Sequence, residues 1–163
     1  MRGPVTVYVW VSLVSAKSPG HAALSIRPSA ERPLDGYVSF APKASGSIYG
    51  PGHFFDRAHD TEHYSKRGVW IGTIYGLDVD KMTRQFRIDC RAPQTYSPFN
   101  ECANVVHRYL AIGGGDELAG RWSRHALLTW SPDDVEDYAR SIVENTTRLG
   151  STGTKRRGEG TMF

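Results

Sequence analysis

Residues 99–110 read FNECANVVHRYL. Cys102, Val105, Val106, Tyr109 and Leu110 recur in it at helical spacing, and Gly113-Gly114-Gly115 follows as a stop. The spacing predicts a helix that opens at Cys102. A first-turn cysteine has unpaired backbone amides aimed at its sulfur, and those amides can also cradle an oxyanion. A buried thiol on the core stripe behind Val106 and Tyr109 is the plainer alternative, because free cysteines pack as small hydrophobes.

Upstream, GHAALSI at residues 20–26 reads as a strand with His21 at its start and Ala22, Leu24 and Ile26 facing a core. Residues 5–14 alternate Val5, Val7, Val9, Val11 and Leu13 with Thr6, Tyr8, Trp10 and Ser12. That is strand texture, and a lone Arg2 is too little positive charge for the start of a signal peptide. Lys17-Ser18-Pro19-Gly20 supplies a turn between these two strands. Pro33-Leu34-Asp35-Gly36 supplies another before YVSF, Tyr37–Phe40. The three strands predict an antiparallel meander.

Residues 42–68 carry Gly, Pro, Ser, His and charge without a sustained period, and are expected to form a long loop, either a lid or a recognition segment. Val69–Tyr75 returns to strand character. Asp78 then caps a short helix to about Phe86, with Val79, Met82 and Phe86 on one face. Pro93–Phe99 reads as a turn. A last helix begins at Ser131-Pro132-Asp133-Asp134 and buries Val135, Tyr138, Ala139, Ile142 and Val143. Residues 1–149 are read as one domain and 150–163 as a flexible basic tail.

A chain of 163 residues fits one domain, and 17 Gly with 9 Pro point to many turns. Net charge is +3, and Lys155, Arg156 and Arg157 in the tail supply much of it, so nucleic acid is not an expected partner. No segment is long enough to span a bilayer, so stable membrane insertion is not expected either. Two cysteines, Cys90 and Cys102, lack zinc spacing; a bridge between them would remove the thiol at 102. His53, His59 and His63 with Asp56, Asp60 and Glu62 form a second cluster. Its HDTEH spacing is not the HExxH zinc pattern, and it reads as a solvated loop with no metal site assigned.

A strand-borne histidine and a helix-opening cysteine form a thiol-activation pair, because an imidazole and a helix N-terminus both favour thiolate over thiol. The order of a GHAAL-like strand, a YVSF strand and an N-x-C helix resembles the circularly permuted branch of the NlpC/P60 papain-like superfamily, which includes relatives of lecithin retinol acyltransferase. The likeness spans about residues 5–112. It implies an α+β, papain-like fold with the nucleophile helix packed on an antiparallel sheet, nucleophile Cys102 and base His21. Relatives carry a third polar residue on the strand after the histidine, where this chain offers Ser39. They also often place asparagine directly before the cysteine, whereas here Glu101 follows Asn100. Asn100, Ala103 and Asn104 are candidates for oxyanion or substrate positioning, the two asparagines alternatively being plain helix-terminal residues.

The expectation is a cysteine hydrolase that cleaves a peptide, isopeptide or peptidoglycan-type amide, with a lipid acyl-ester hydrolase or acyltransferase second and a non-catalytic interaction module third. Such chemistry needs no cofactor. Expected partners are a peptide or acyl substrate and, for a bacterial effector or toxin, an inhibitor or immunity protein. The expected location is cytoplasmic, or exported without a cleaved signal peptide.

Overall fold

A computed structural model describes residues 1–11, 20–44, 46–120 and 129–154. Six strands form one antiparallel sheet: β1 Arg2–Trp10, β2 His21–Ser25, β3 Tyr37–Pro42, β4 Gly50–Phe54, β5 Val69–Asp78 and β6 Thr95–Tyr96. Their order across the sheet is β5-β1-β2-β3-β4-β6, so the expected meander β1-β2-β3 forms its centre. Among the described residues five α-helices complete the fold: α1 Arg57–His63, α2 Val79–Arg91, α3 Cys102–Ile112, α4 Gly115–Ala119 and α5 Pro132–Thr154. The architecture is α+β.

The two-residue period of the central strands sorts side chains to opposite faces. Val5, Val7 and Val9 of β1, Ala22 and Leu24 of β2, and Val38 and Phe40 of β3 join the main core with Val105, Val106, Tyr109, Val135, Tyr138 and Ile142 from α3 and α5. Each such Val or Leu side chain contributes about 1.5–3 kcal/mol on burial. The alternate positions Tyr8, Trp10, Ala23 and Tyr37 form a smaller aromatic cluster on the other face, joined by Tyr64 just beyond α1. His21 pairs with Trp10 and Ser39 with Ala23 across the ladder, so both belong to this second face.

Local signals explain the helix starts. Asp78 Oδ1 accepts from Lys81 N at 3.1 Å and opens α2. Ser131 and Asp134 cap α5 reciprocally: Ser131 Oγ accepts from Asp134 N at 3.1 Å, and Asp134 Oδ2 accepts from Ser131 N at 2.7 Å. α3 starts at Cys102 and ends at Ile112 with Gly113 as its C-cap, as its pattern predicts.

Three expectations are corrected. The segment 42–68 is not one long loop, since it holds β4 and α1. Alternation in GPGHF is masked by its glycines and proline, and seven residues are too few to show a helical period. Within Pro93–Phe99, Thr95–Tyr96 form β6 against β4. α5 continues to Thr154, past the expected tail boundary at 150; residues 155–163, with Lys155, Arg156 and Arg157, lie outside the described residues. So do Ser12, Leu13, Val14 and the turn residues Lys17, Ser18 and Pro19. Both cysteines are free thiols, so the Cys90–Cys102 bridge does not form. No helix among the described residues is long and apolar enough to cross a membrane.

Candidate active site

His21 is held at the first position of β2, where the sheet ends, and only 2% of it is exposed. Its neighbour Gly20 runs against the Trp10 carbonyl and the Pro132 ring so closely that a Cβ there would lie 2.5 Å from the Trp10 oxygen. Tyr64 stacks on the imidazole at 4.7 Å and Trp10 lies tilted beside it at 5.5 Å, with Trp10 and Tyr64 also 5.5 Å from each other.

Two polar side chains, Ser39 and Asp60, meet the edge of that ring, and a third, Tyr37, braces Asp60. His21 Nε2 lies 2.9 Å from Ser39 Oγ and 3.5 Å from Asp60 Oδ2. The Ser39 hydroxyl donates to Asp60 Oδ1 at 3.0 Å, and the Tyr37 hydroxyl donates to Asp60 Oδ2 at 2.8 Å. Ser39 has a single proton and gives it to Asp60, so it must accept from His21 Nε2–H. That sets the tautomer. In the neutral ring Nε2 therefore carries the proton and Nδ1 is the nitrogen left to accept one, with the charge of Cys102 among the influences that raise the His21 pKa.

Asp60 is the only buried residue of α1. A carboxylate in that place is costly unless it is paired and hydrogen-bonded, and here three partners share its two oxygens. Burial alone would raise its pKa, but the contacts with His21, Tyr37 and Ser39 outweigh burial and hold it below 3.8. For His21, burial alone would favour the neutral ring. The charge on Cys102 and the Asp60 carboxylate reverse this and raise its pKa to about 10. Burial and the Asp60 charge push the Tyr37 phenol far above its ordinary range, so it stays a donor.

Cys102 is the first residue of α3 and is 6% exposed. Its N-cap, Glu101, makes no side-chain capping bond, and burial raises the Glu101 pKa. The first intrahelical bond runs from Val105 N to Glu101 O at 3.0 Å. The amides of Cys102, Ala103 and Asn104 precede that bond, so they are the donors the helix start presents beside the sulfur.

Of the residues singled out in the sequence, the fold brings His21, Ser39 and Cys102 together and puts Ala103 and Asn104 in the first turn of α3. The asparagine side chains make other contacts, although Asn104 Nδ2 is buried with no hydrogen-bond partner among the described residues. Asn100 Nδ2 donates to Thr95 O at 2.9 Å and braces the approach to the helix, and Asn104 Oδ1 accepts from Trp130 N at 3.2 Å. Asp60, Tyr37 and Tyr64 were missed as site residues. Asp60 falls in the segment expected to be a solvated loop, an expectation that α1 overturns by packing against β3. The one usable signal was Asp56, which caps α1 by accepting from His59 N at 2.8 Å. His59 and His63 stack on each other at 5.6 Å, and among the described residues no group of three or more His, Cys, Asp or Glu is arranged to hold a metal.

A family model of the IcsB middle domain matches residues 45–159, a stretch that holds Asp60 and Cys102 and begins after His21 and Ser39. No curated protein and no solved structure matches the chain. With most of its length covered by that model, the chain belongs to the IcsB middle-domain family.

Proposed function

We propose that the protein is a cysteine-nucleophile acyl-transfer enzyme, in first place an amide hydrolase, working through Cys102, His21 and Asp60 on a permuted papain-like scaffold. The observation that carries this reading is the buried His21 ring, bonded at Nε2 to the Asp60–Ser39 pair and electrostatically coupled to Cys102. A structural core would have little reason to bury a carboxylate, an imidazole and a thiol close enough to influence one another.

The chemistry follows from the geometry. His21 Nδ1 takes the thiol proton, and the thiolate attacks the substrate carbonyl carbon to form a carbon–sulfur bond. The carbonyl oxygen becomes an oxyanion facing the first-turn amides of α3. The imidazolium, stabilised by Asp60 directly and through Ser39, then protonates the leaving amine as the carbon–nitrogen bond breaks. Water, deprotonated by His21, attacks the thioester and releases the acid and the free thiol. Asp60 stays ionised throughout, as the aspartate of a triad does. An effector role fits the IcsB family membership.

A second reading, an acyl-ester hydrolase or acyltransferase, draws on one observation. Gly50 pairs with Tyr96, which brings the residues before β4 beside the turn Ser97–Asn100 that leads into Cys102. Ile48, Tyr49 and Phe99 are all exposed in these two segments, a surface suited to an acyl chain.

Incubation with p-nitrophenyl esters tests both. Acylation of Cys102 should appear as a mass increase on its tryptic peptide, with a burst of nitrophenol that Cys102→Ala abolishes. A folded protein whose Cys102 never acylates would end the enzyme reading. Acylation that speeds up with acyl-chain length, and slows on Phe99→Ser, would favour the second reading over the first.

A further inference from the structure

Net charge near neutrality hides an uneven distribution. Along α2, Lys81, Arg84, Arg87, Ile88 and Arg91 are all exposed. At about 100° per residue they fall within roughly a third of the helix circumference. The opposite arc buries Val79, Met82, Phe86 and Asp89. Arg87 and Arg91 also line a cavity of about 300 Å³ together with Arg27, Leu34, Asp35 and Thr83.

The acids of this region are already engaged. Asp35 pairs with Arg32 at 2.9 Å, Asp80 with the chain's amino terminus, Asp78 with Lys81 at 3.8 Å, and Asp89 with Arg108 at 3.0 Å. Arg27, Arg84, Arg87 and Arg91 form no ion pair among the described residues. Two large apolar side chains stand among these cations. Ile88 is 59% exposed on the same stripe, and Leu34 is 94% exposed. Leu34 is not on a floppy loop. It tips a 3-10 turn, Pro33–Asp35, closed by Gly36 at φ 104° and braced by the Arg32–Asp35 pair.

Unpaired arginines around a headgroup-sized cavity, with rigidly displayed apolar residues between them, complement a surface that is anionic outside and oily just beneath. We propose that the outer face of α2, with Arg27 and the Leu34 turn, seats the protein peripherally on a membrane of anionic phospholipid. The arginines take the headgroup phosphates, and Leu34 and Ile88 enter the acyl boundary. The basic stripe supplies the long-range attraction, and the two apolar residues distinguish a membrane from a soluble polyanion. This inference does not rest on the cysteine chemistry.

Co-sedimentation of the full chain with vesicles tests it, comparing phosphatidylcholine alone with phosphatidylcholine containing phosphatidylserine. Binding should need the anionic lipid and disappear at high salt. Each arginine neutralised near the surface should weaken partitioning about fivefold, so Arg84→Gln, Arg87→Gln and Arg91→Gln combined should weaken it about a hundredfold. Leu34→Ser, which is exposed and should not disturb folding, should weaken it about tenfold. Equal binding to both vesicle types, or an unchanged triple variant that keeps its wild-type circular dichroism, would overturn the proposal. So would a single-stranded oligonucleotide bound as tightly as the vesicles with no response to Leu34→Ser, since that outcome describes a general polyanion site.

Discussion

The carboxylate of Asp60 stands 3.5 Å from His21 Nε2, with both side chains almost wholly removed from water. One comes from a seven-residue helix and the other from a strand end, and the two meet on the aromatic face of the sheet. A charge buried this way is retained only where its field is used or its loss would be costly, and the nearest user is the imidazole beside Cys102. The following outcomes are expected.

Cys102 should react selectively with iodoacetamide in the folded protein near neutral pH, and mass mapping should find Cys90 unmodified. Cys90 is a half-buried thiol whose pKa is pushed up to about 11 by burial and by the Asp89 charge, so it provides an internal control. His21→Ala should slow alkylation of Cys102 by at least about tenfold, because the imidazolium partner of the thiolate is lost. An unchanged rate would remove His21 from the site.

Asp60→Asn and Ser39→Ala should differ in severity. Asn cannot stabilise the imidazolium and presents its amide ambiguously to three donors, so turnover should fall about a thousandfold. Ser39→Ala leaves the 3.5 Å ion pair in place and removes only the bridge, so about a tenfold loss is expected. Comparing kcat for the two variants on an activated ester checks this. Equal losses would make Ser39, and not Asp60, the partner that matters.

The same groups set a pH window for stability. Asp60 has its pKa lowered by folding, so its contribution is complete above 3.8 and is lost as pH falls through the lower folded value. His21 is raised from 6.5 to about 10, so its contribution is complete below 6.5 and is lost as pH rises towards 10. Urea unfolding across pH should therefore show a plateau between about 4 and 6.5 with a decline on both sides. Asp60→Asn should cost about 3 kcal/mol on that plateau and progressively less in acid. A cost independent of pH would mean that the carboxylate is not ionised in the fold.

Tyr37→Phe deletes one hydrogen bond to Asp60 without changing the packing of a fully buried ring. A loss of about 1–2 kcal/mol is expected, with the alkylation rate of Cys102 reduced only a few-fold. Thermal melts and the iodoacetamide assay read the two effects separately.

Gly20→Ala should act on the site through the backbone. The added methyl would meet the Trp10 carbonyl at 2.5 Å and the Pro132 ring at 3.1 Å, so the start of β2 must shift and carry His21 with it. A stability loss of about 1–3 kcal/mol should accompany slower Cys102 alkylation. Wild-type behaviour in both would show that this strand end is more compliant than the packing implies.

Much of the fold was legible because it was written in local periods. The alternation in β1 and β2, the Asp78 cap of α2, the stripe and glycine stop of α3 and the Ser131–Asp134 cap of α5 each lie within a few residues. His21 and Cys102 could be singled out from their places at the starts of a strand and a helix, and Ser39 from the family resemblance, which implies a polar residue on the next strand. Those features depend on neighbours in the chain, which a linear sequence displays.

Asp60 could not be found that way. Helix α1 is too short to show a period, its sole buried side chain is charged, and its sequence carries the polar texture of a loop. What turns Asp60 inward is the gathering of Tyr37, Ser39 and His21 on the sheet face opposite the main core, and their three contacts repay a desolvation no local pattern can report. The basic face of α2 is divided between the two: Arg84, Arg87, Ile88 and Arg91 share it through local helical spacing, and only the folded chain brings Arg27 and Leu34 beside them. Periodicity and capping are properties of the chain and could be read from it. The carboxylate behind the histidine and the approach of Arg27 and Leu34 to the α2 stripe depend on long-range packing, so the tertiary structure alone decided them.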